Sequence, residues 1–194
     1  DCLKPSNPYS STKSAADQLI IGWARTYNIP YLILRPTNNY GIGQYVEKLI
    51  PRAIKYLGLG KKIPLHNNGT PIRNWLHAKD TAEAVIVLIE NNAQDIIDDN
   101  NIYNICGGYE QTNLETVSKI IKLYYPKDTA LERDFPMYDN NINEYLDLSY
   151  SRQGQDVRYA LNDDKLRALG WEPKAKFDEE LPDIVGYYKN NFIW

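Results

Sequence analysis

The chain has 194 residues, 43% hydrophobic and 24% charged, with a formal net charge of −3, a length that suits one domain or a domain with a smaller annex. Acids and bases are interspersed, which argues against a basic face for nucleic acid, and Cys2 and Cys106 lack any CxxC or Cys/His spacing, which argues against a disulfide framework or zinc site and suits a reducing, cytoplasmic setting. No apolar run reaches the roughly 18 residues of a membrane span, and the first residues are too polar for a signal peptide.

The elements follow from periodicity. Between Tyr9 and Tyr27, Ala15, Ala16, Leu19, Ile20, Trp23 and Ala24 recur at helical spacing. "IPYLILRP" (29–36) is an apolar run closed by proline and reads as a strand buried on both faces. "VEKLIPRAIKYL" (46–57) reads as a helix that Pro51 should kink or break. Residues 61–77 hold two strand-like pieces around the turn signal Asn-Asn-Gly. A helix is expected over 79–91, then a strand over 102–108. The next helix opens with Thr112 and Glu115 at capping-box spacing. Residues 162–171 predict a short helix ending near Gly170, and the last helix should place Phe177, Leu181, Val185 and Tyr188 on one face. Helices and strands alternate early and mix later, so the class is α/β with a smaller α+β annex.

Two stretches invite chemical readings. "NNYGIGQYV" places Gly41 and Gly43 between a strand and a helix, but Val46 stands where a dinucleotide fingerprint needs its third small residue. A strand-to-helix turn is the better reading. In "PYSSTK", Tyr9 and Lys13 lie at i and i+4, on one helix face. A fixed ammonium favours the phenolate, and a Tyr so tuned can take a hydroxyl proton while hydride leaves for a nicotinamide. Spacing alone leaves that pair open between catalysis and an ordinary helix start.

The order "PYSSTKSAAD", "RPTNNYG", "EKLIPRAI", "IPLHNNGTPIRNWLHAKDTAEAV", "YNICGG", "SRQGQDVRYAL", "LGWEP" resembles the extended short-chain dehydrogenase/reductases, and among them the nucleotide-sugar 4,6-dehydratases of the dTDP-glucose and UDP-glucose type. The likeness runs from about residue 5 to Trp194. It implies the second half of a Rossmann-like parallel sheet with helices (1–40 and 75–105) and a nucleotide-sugar-binding domain (41–74 and 106–194). It implies NAD as cofactor, Tyr9 as the base for the sugar 4-hydroxyl and Lys13 as holder of the nicotinamide ribose, with Asn39 near the nicotinamide. Asn38 would contact the substrate diphosphate, and Glu47, Lys48 and Leu49 would line the sugar and phosphate path. Pro64 and His66 would lie at the base. Arg73 and Arg152 would clamp the diphosphate, with Asn104 and Gln155 as further contacts. The activity implied is conversion of dTDP- or UDP-glucose to a 4-keto-6-deoxy sugar, as in rhamnose biosynthesis, by a homodimer formed through the helix that bears Tyr9 and Lys13.

Two departures matter. His66 stands where the dTDP-glucose enzymes commonly carry tyrosine and plant UDP-glucose enzymes histidine, which opens a uracil preference. Gln155 replaces a histidine of the bacterial pattern. The family's Gly-rich loop and its Asp/Glu elimination pair would lie upstream of Asp1, so the isolated chain is expected to be inactive and to leave an apolar helix face exposed. A related epimerase, decarboxylase or GDP-mannose dehydratase, or a non-catalytic nucleotide-sugar-binding fragment, are the alternatives.

Overall fold

Asn7 opens the first helix, α1 (Pro8–Tyr27), with its side chain accepting from the Ser10 N–H, and Asn28 closes it in the left-handed region that asparagine tolerates. The computed structural model describes residues 3–91, 101–125 and 142–191; Cys2 and Trp194 lie outside them. After α1 come β1 (Ile33–Pro36), β2 (Asn38–Tyr40), α2 (Leu49–Gly58), β3 (Ile63–Pro64), a 3-10 turn (His66–Gly69), β4 (Ile72–His77) and α3 (Ala78–Asn91). Then follow β5 (Ile102–Ile105), β6 (Tyr109–Thr112), α4 (Asn113–Tyr124), a second 3-10 turn (Ile142–Tyr145), β7 (Leu146–Asp147), β8 (Arg158–Tyr159), α5 (Asp164–Arg167) and α6 (Phe177–Asn190). The class is α/β. β1 pairs β5 in parallel from Ile33 opposite Ile102 to Pro36 opposite Ile105, β3 pairs β7 in parallel, and another sheet has the order β2-β4-β6 with β8 on β4.

The chain divides into two compact units, one of Asp1–Asn39, Asn74–Tyr109 and Gln153–Ala175, the other of Tyr40–Arg73, Glu110–Arg152 and Lys176–Trp194. Residues 153–175 therefore group with the first unit, whereas the family resemblance implies them in the second. The reason is packing: Leu166 and Trp171 are buried in one core with Leu76, Ala84, Leu88, Tyr103 and Ile105. Asp80, 3% exposed, secures that return of the chain. Its carboxylate accepts the N–H groups of Lys174 and Ala175, each at 3.1 Å, while its carbonyl accepts from the Trp171 indole at 3.1 Å.

In the second unit α2, α4 and α6 pack on one another through Ile50, Ile54 and Leu57, through Val117, Ile120 and Ile121, and through Phe177, Leu181, Ile184, Val185 and Tyr188. These are the residues that helical spacing puts on one face. The capping box is present: Thr112 accepts from the Glu115 N–H at 3.1 Å, and Glu115 accepts from the Thr112 N–H at 2.7 Å. The Thr112 backbone and hydroxyl donors hold the Glu115 carboxyl below its ordinary value.

Two expectations need correction. The first strand covers only Ile33–Pro36, with Ile33 buried and the next three residues half-buried, because among the described residues β1 is paired on one side only. The helix expected from residue 46 starts at Leu49, which places Pro51 in its first turn. The N–H groups of a first turn have no intrahelical acceptor, so proline there removes nothing and no kink is required.

Candidate functional site

α1 carries Tyr9 and Lys13 on successive turns, and the same face continues to Asp17. Asp17 is held by Arg35 of β1, whose Nη2 and Nε lie 2.7 and 2.9 Å from Oδ2. Tyr9 is 68% exposed, and neither its side chain nor that of Lys13 has a polar partner among the described residues. Both are thus available to a ligand.

Residues 37–39 leave β1 over a buried polar network. Thr37 Oγ1 donates to Asn74 Oδ1 at 3.0 Å, the same oxygen accepts the Gly107 N–H at 2.9 Å, and the Thr37 N–H donates to the Ile105 carbonyl. Gly107 fits because it lacks a side chain: a Cβ there would stand 1.7 Å from the Trp75 carbonyl oxygen. Asn39 is fixed at both ends of its amide. Nδ2 donates to the Thr37 carbonyl at 3.1 Å, and Oδ1 accepts from the Thr81 hydroxyl at 2.6 Å. Asn38 differs, since its buried Oδ1 has no hydrogen-bond partner among the described residues. An unsatisfied buried acceptor is costly, so this oxygen is placed to receive a donor from outside the chain or from a water.

Two further expected contacts belong to this unit. Asn104, opposite Arg35 in the β1–β5 register, donates Nδ2 to the Asn162 carbonyl at 2.8 Å and borders an open cavity of about 670 Å³ with Ser14, Gln18 and Arg35. Gln155 is half-buried in the loop between Gly154 and Asp156.

In the other unit, Glu47 and Lys48 pair with each other at 2.8 Å, both exposed, directly before α2. No side chain caps that helix, so the Leu49 and Ile50 N–H groups are left toward an anion, which a helix N-terminus favours. Glu47 also lines an open cavity of about 590 Å³ with Tyr45, Arg52, Lys55, Tyr56 and Lys61.

His66, Tyr150 and Arg152 are brought together by Asn67. Its N–H donates to the Tyr150 carbonyl at 3.0 Å, its Oδ1 accepts the Arg152 N–H at 3.0 Å, and its Nδ2 donates to the Arg152 carbonyl at 3.3 Å. Asn67 and Asn68 take left-handed φ of 52° and 56° to make this turn, and Gly69 completes it at 70° beneath Leu114. The His66 ring lies edge-on to Tyr150 with centroids 5.8 Å apart, and its buried Nδ1 has no hydrogen-bond partner among the described residues. Pro64 is buried in β3, and Arg73 donates Nη1 to the Ile72 carbonyl at 2.8 Å. Tyr150 and Asn67 escape a reading of the sequence. Their only local signal is the Asn-Asn-Gly turn, and the partners lie about 85 residues apart.

Among the described residues no group of His, Cys, Asp or Glu could hold a metal ion, and no helix is long and apolar enough to cross a membrane.

The family model described as GDP-mannose 4,6 dehydratase matches residues 1–184. The dTDP-glucose 4,6-dehydratase of Haemophilus influenzae is 39% identical over 191 residues, covering 96% of this chain and 53% of the relative. The crystal structure of dTDP-glucose 4,6-dehydratase from Bacillus anthracis in complex with NAD is similar with a TM-score of 0.78 and 34% identity, over 98% of this chain and 54% of that one. The Streptomyces venezuelae enzyme of the same name, with NAD and TYD bound, gives a TM-score of 0.80 at 29% identity, over 98% and 53%. The chain spans about half the length of the relatives it matches.

Proposed function

The chain belongs to the GDP-mannose 4,6 dehydratase family, of the extended short-chain dehydrogenase/reductase type, and from that premise we propose that it carries the base and much of the substrate-binding surface of an NAD-dependent nucleotide-sugar 4,6-dehydratase acting on dTDP- or UDP-glucose. The observation that carries the reading is the pairing of an exposed Tyr9 and Lys13 on one helix face with a buried, unpartnered Asn38 oxygen. Both the helix and the polar shelf belong to one unit.

The donor set suits NAD. Lys13 would hold the nicotinamide ribose through its ammonium, and Asn39, fixed by Thr37 and Thr81, would stand near the ring. NAD, when bound, supplies the two-electron acceptor that oxidises the sugar at C4 and later returns the electrons at C6. The chain's own share is proton transfer and positioning. The Tyr9 phenolic oxygen takes the proton of the 4-hydroxyl. For the substrate diphosphate the first unit offers Asn38, and the second offers the open start of α2 beside Lys48 together with Arg73 and Arg152, whose planar forks suit phosphate oxygens. His66 and Tyr150 offer rings to the base, and Pro64, two residues before His66, belongs to the same proposal. Asn104 and Gln155 are further polar groups that the first unit offers. The relatives' names favour dTDP-glucose over GDP-mannose as substrate, while His66 keeps UDP-glucose in play.

The test is to incubate the protein carrying this sequence with NAD and dTDP-glucose or UDP-glucose and to follow loss of one water by mass spectrometry. Water loss from either sugar is the expected result, and both sugars returned unchanged would sink the dehydratase reading. The chain's span of about half its relatives' length favours one second reading, a nucleotide-sugar-binding module without turnover. Binding of dTDP by calorimetry with no water loss would select it.

Self-association through α1 belongs to the same proposal. Leu19, Ile20, Trp23 and Tyr27 are 63, 43, 59 and 60% exposed, and Ala24 alone of this helix is buried. A continuous apolar face of this kind favours burial against a second copy. Trp23→Glu should shift the protein from dimer to monomer in sedimentation velocity; a parent that already sediments as a monomer contradicts the idea.

A further inference from the structure

One side-chain amide does two jobs at the start of α1. Asn7 Oδ1 accepts from the Ser10 N–H at 2.9 Å and from the Ser10 hydroxyl at 3.0 Å, which caps the helix. Its Nδ2 donates to the Gly154 carbonyl at 3.0 Å, and the adjacent Ser6 hydroxyl donates to Asp156 Oδ1 at 3.0 Å. The approach is close: a Cβ on Gly154 would lie 3.5 Å from the Asn7 Cβ, and Gly154 itself has a φ of +67°. Residues 154 and 156 are thus both pinned to the segment ahead of α1, and Gln155 lies between them. Among the described residues Ala24 is the one buried residue of the helix, and Asp17 ties it to β1 through Arg35. A carboxylate could cap but not donate, and a serine hydroxyl is shorter than the amide; an asparagine accepts at one end and donates at the other.

We propose that Asn7 is a positioning residue that sets the Tyr9/Lys13 helix and the Gln155 loop in one register, so that base and loop meet a nucleotide ligand as a unit. The inference rests on the functional reading above.

Asn7→Asp and Asn7→Ser separate the two jobs, because both residues are good N-caps while neither offers the amide donor to Gly154. The probes are hydrogen exchange of the 153–157 amides and calorimetric titration with dTDP. In both variants the loop amides should exchange about fivefold faster or more, as expected for loss of one hydrogen bond, while α1 amides and helix content stay as in the parent. The dTDP dissociation constant should rise about fivefold in parallel. In Asn7→Ala the α1 amides should speed up as well. Unchanged loop exchange in Asn7→Asp and Asn7→Ser overturns the proposal, and so does faster loop exchange with an unchanged dTDP affinity. If the parent binds no dTDP, the functional reading fails on its own terms, and loop exchange still decides whether Asn7 holds the loop.

Discussion

Tyr9→Phe should lower the rate of water loss from the nucleotide sugar by about 10²- to 10⁴-fold, the usual contribution of a positioned general base. Phe keeps the ring and removes only the hydroxyl, which has no partner among the described residues. Because Tyr9 is 68% exposed, the variant should keep its stability within about 0.5 kcal/mol of the parent. KM for the sugar should change little, since the proton moves in the transition state and not on binding. Steady-state kinetics of the protein carrying this sequence decide the matter: a Phe variant with undiminished kcat removes Tyr9 from the chemistry. The companion change, Lys13→Met, should raise the NAD concentration needed for half-maximal rate, as loss of a ribose-holding ammonium requires.

Gly107→Ala should be the most damaging single-atom change in the first unit. The added methyl would meet the Trp75 carbonyl oxygen at 1.7 Å, its carbon at 2.5 Å and the Leu76 Cα at 2.8 Å. All three are backbone, so no rotamer change relieves the overlap. Moving the chain away would draw the Gly107 N–H off Asn74 Oδ1, and Asn74 is 2% exposed with Thr37 bonded to the same oxygen. A loss of about 4 kcal/mol or more is expected, in the range reserved for a strained or broken core. Urea unfolding measures it. An Ala variant with the parent's midpoint would mean that this packing is looser than the distances imply.

Local features were legible in the sequence, and distant ones were not. The α4 capping box and the buried face of α6 follow from spacings of three and four residues, and the structure places them as spacing requires. The kink expected at Pro51 is absent because α2 starts at Leu49 and its first turn tolerates proline, a start that the apolar pattern from Val46 does not reveal. β3 and β7 are two residues each, too short for any periodicity, and their pairing joins segments about 80 residues apart. The candidate site divides the same way. Tyr9, Lys13, Asn38 and Asn39 stand out by motif. The Asn67 bridge to residues 150 and 152 and the Asn7 bond to Gly154 depend on contacts that only the folded chain creates. Asn39 is a case between the two, since its place can be read from the motif but its restraint by Thr81, 42 residues on, cannot.

The three-segment make-up of each unit bears on how the protein is made. Leu166 and Trp171 belong to the same core as Leu76 and Ile105. On a ribosome adding about 5–20 residues per second, β1 and α3 must therefore wait several seconds for their last packing partners. The second unit waits longer, because α6 closes it from residues 177–190. Until then Leu76, Leu88 and Ile105 travel without the partners that complete their core, and a nascent chain in that state is a client for chaperones that hold exposed hydrophobic surface. Synonymous changes that slow translation just before residue 166 should lengthen that exposure and lower the soluble yield without altering a single side chain.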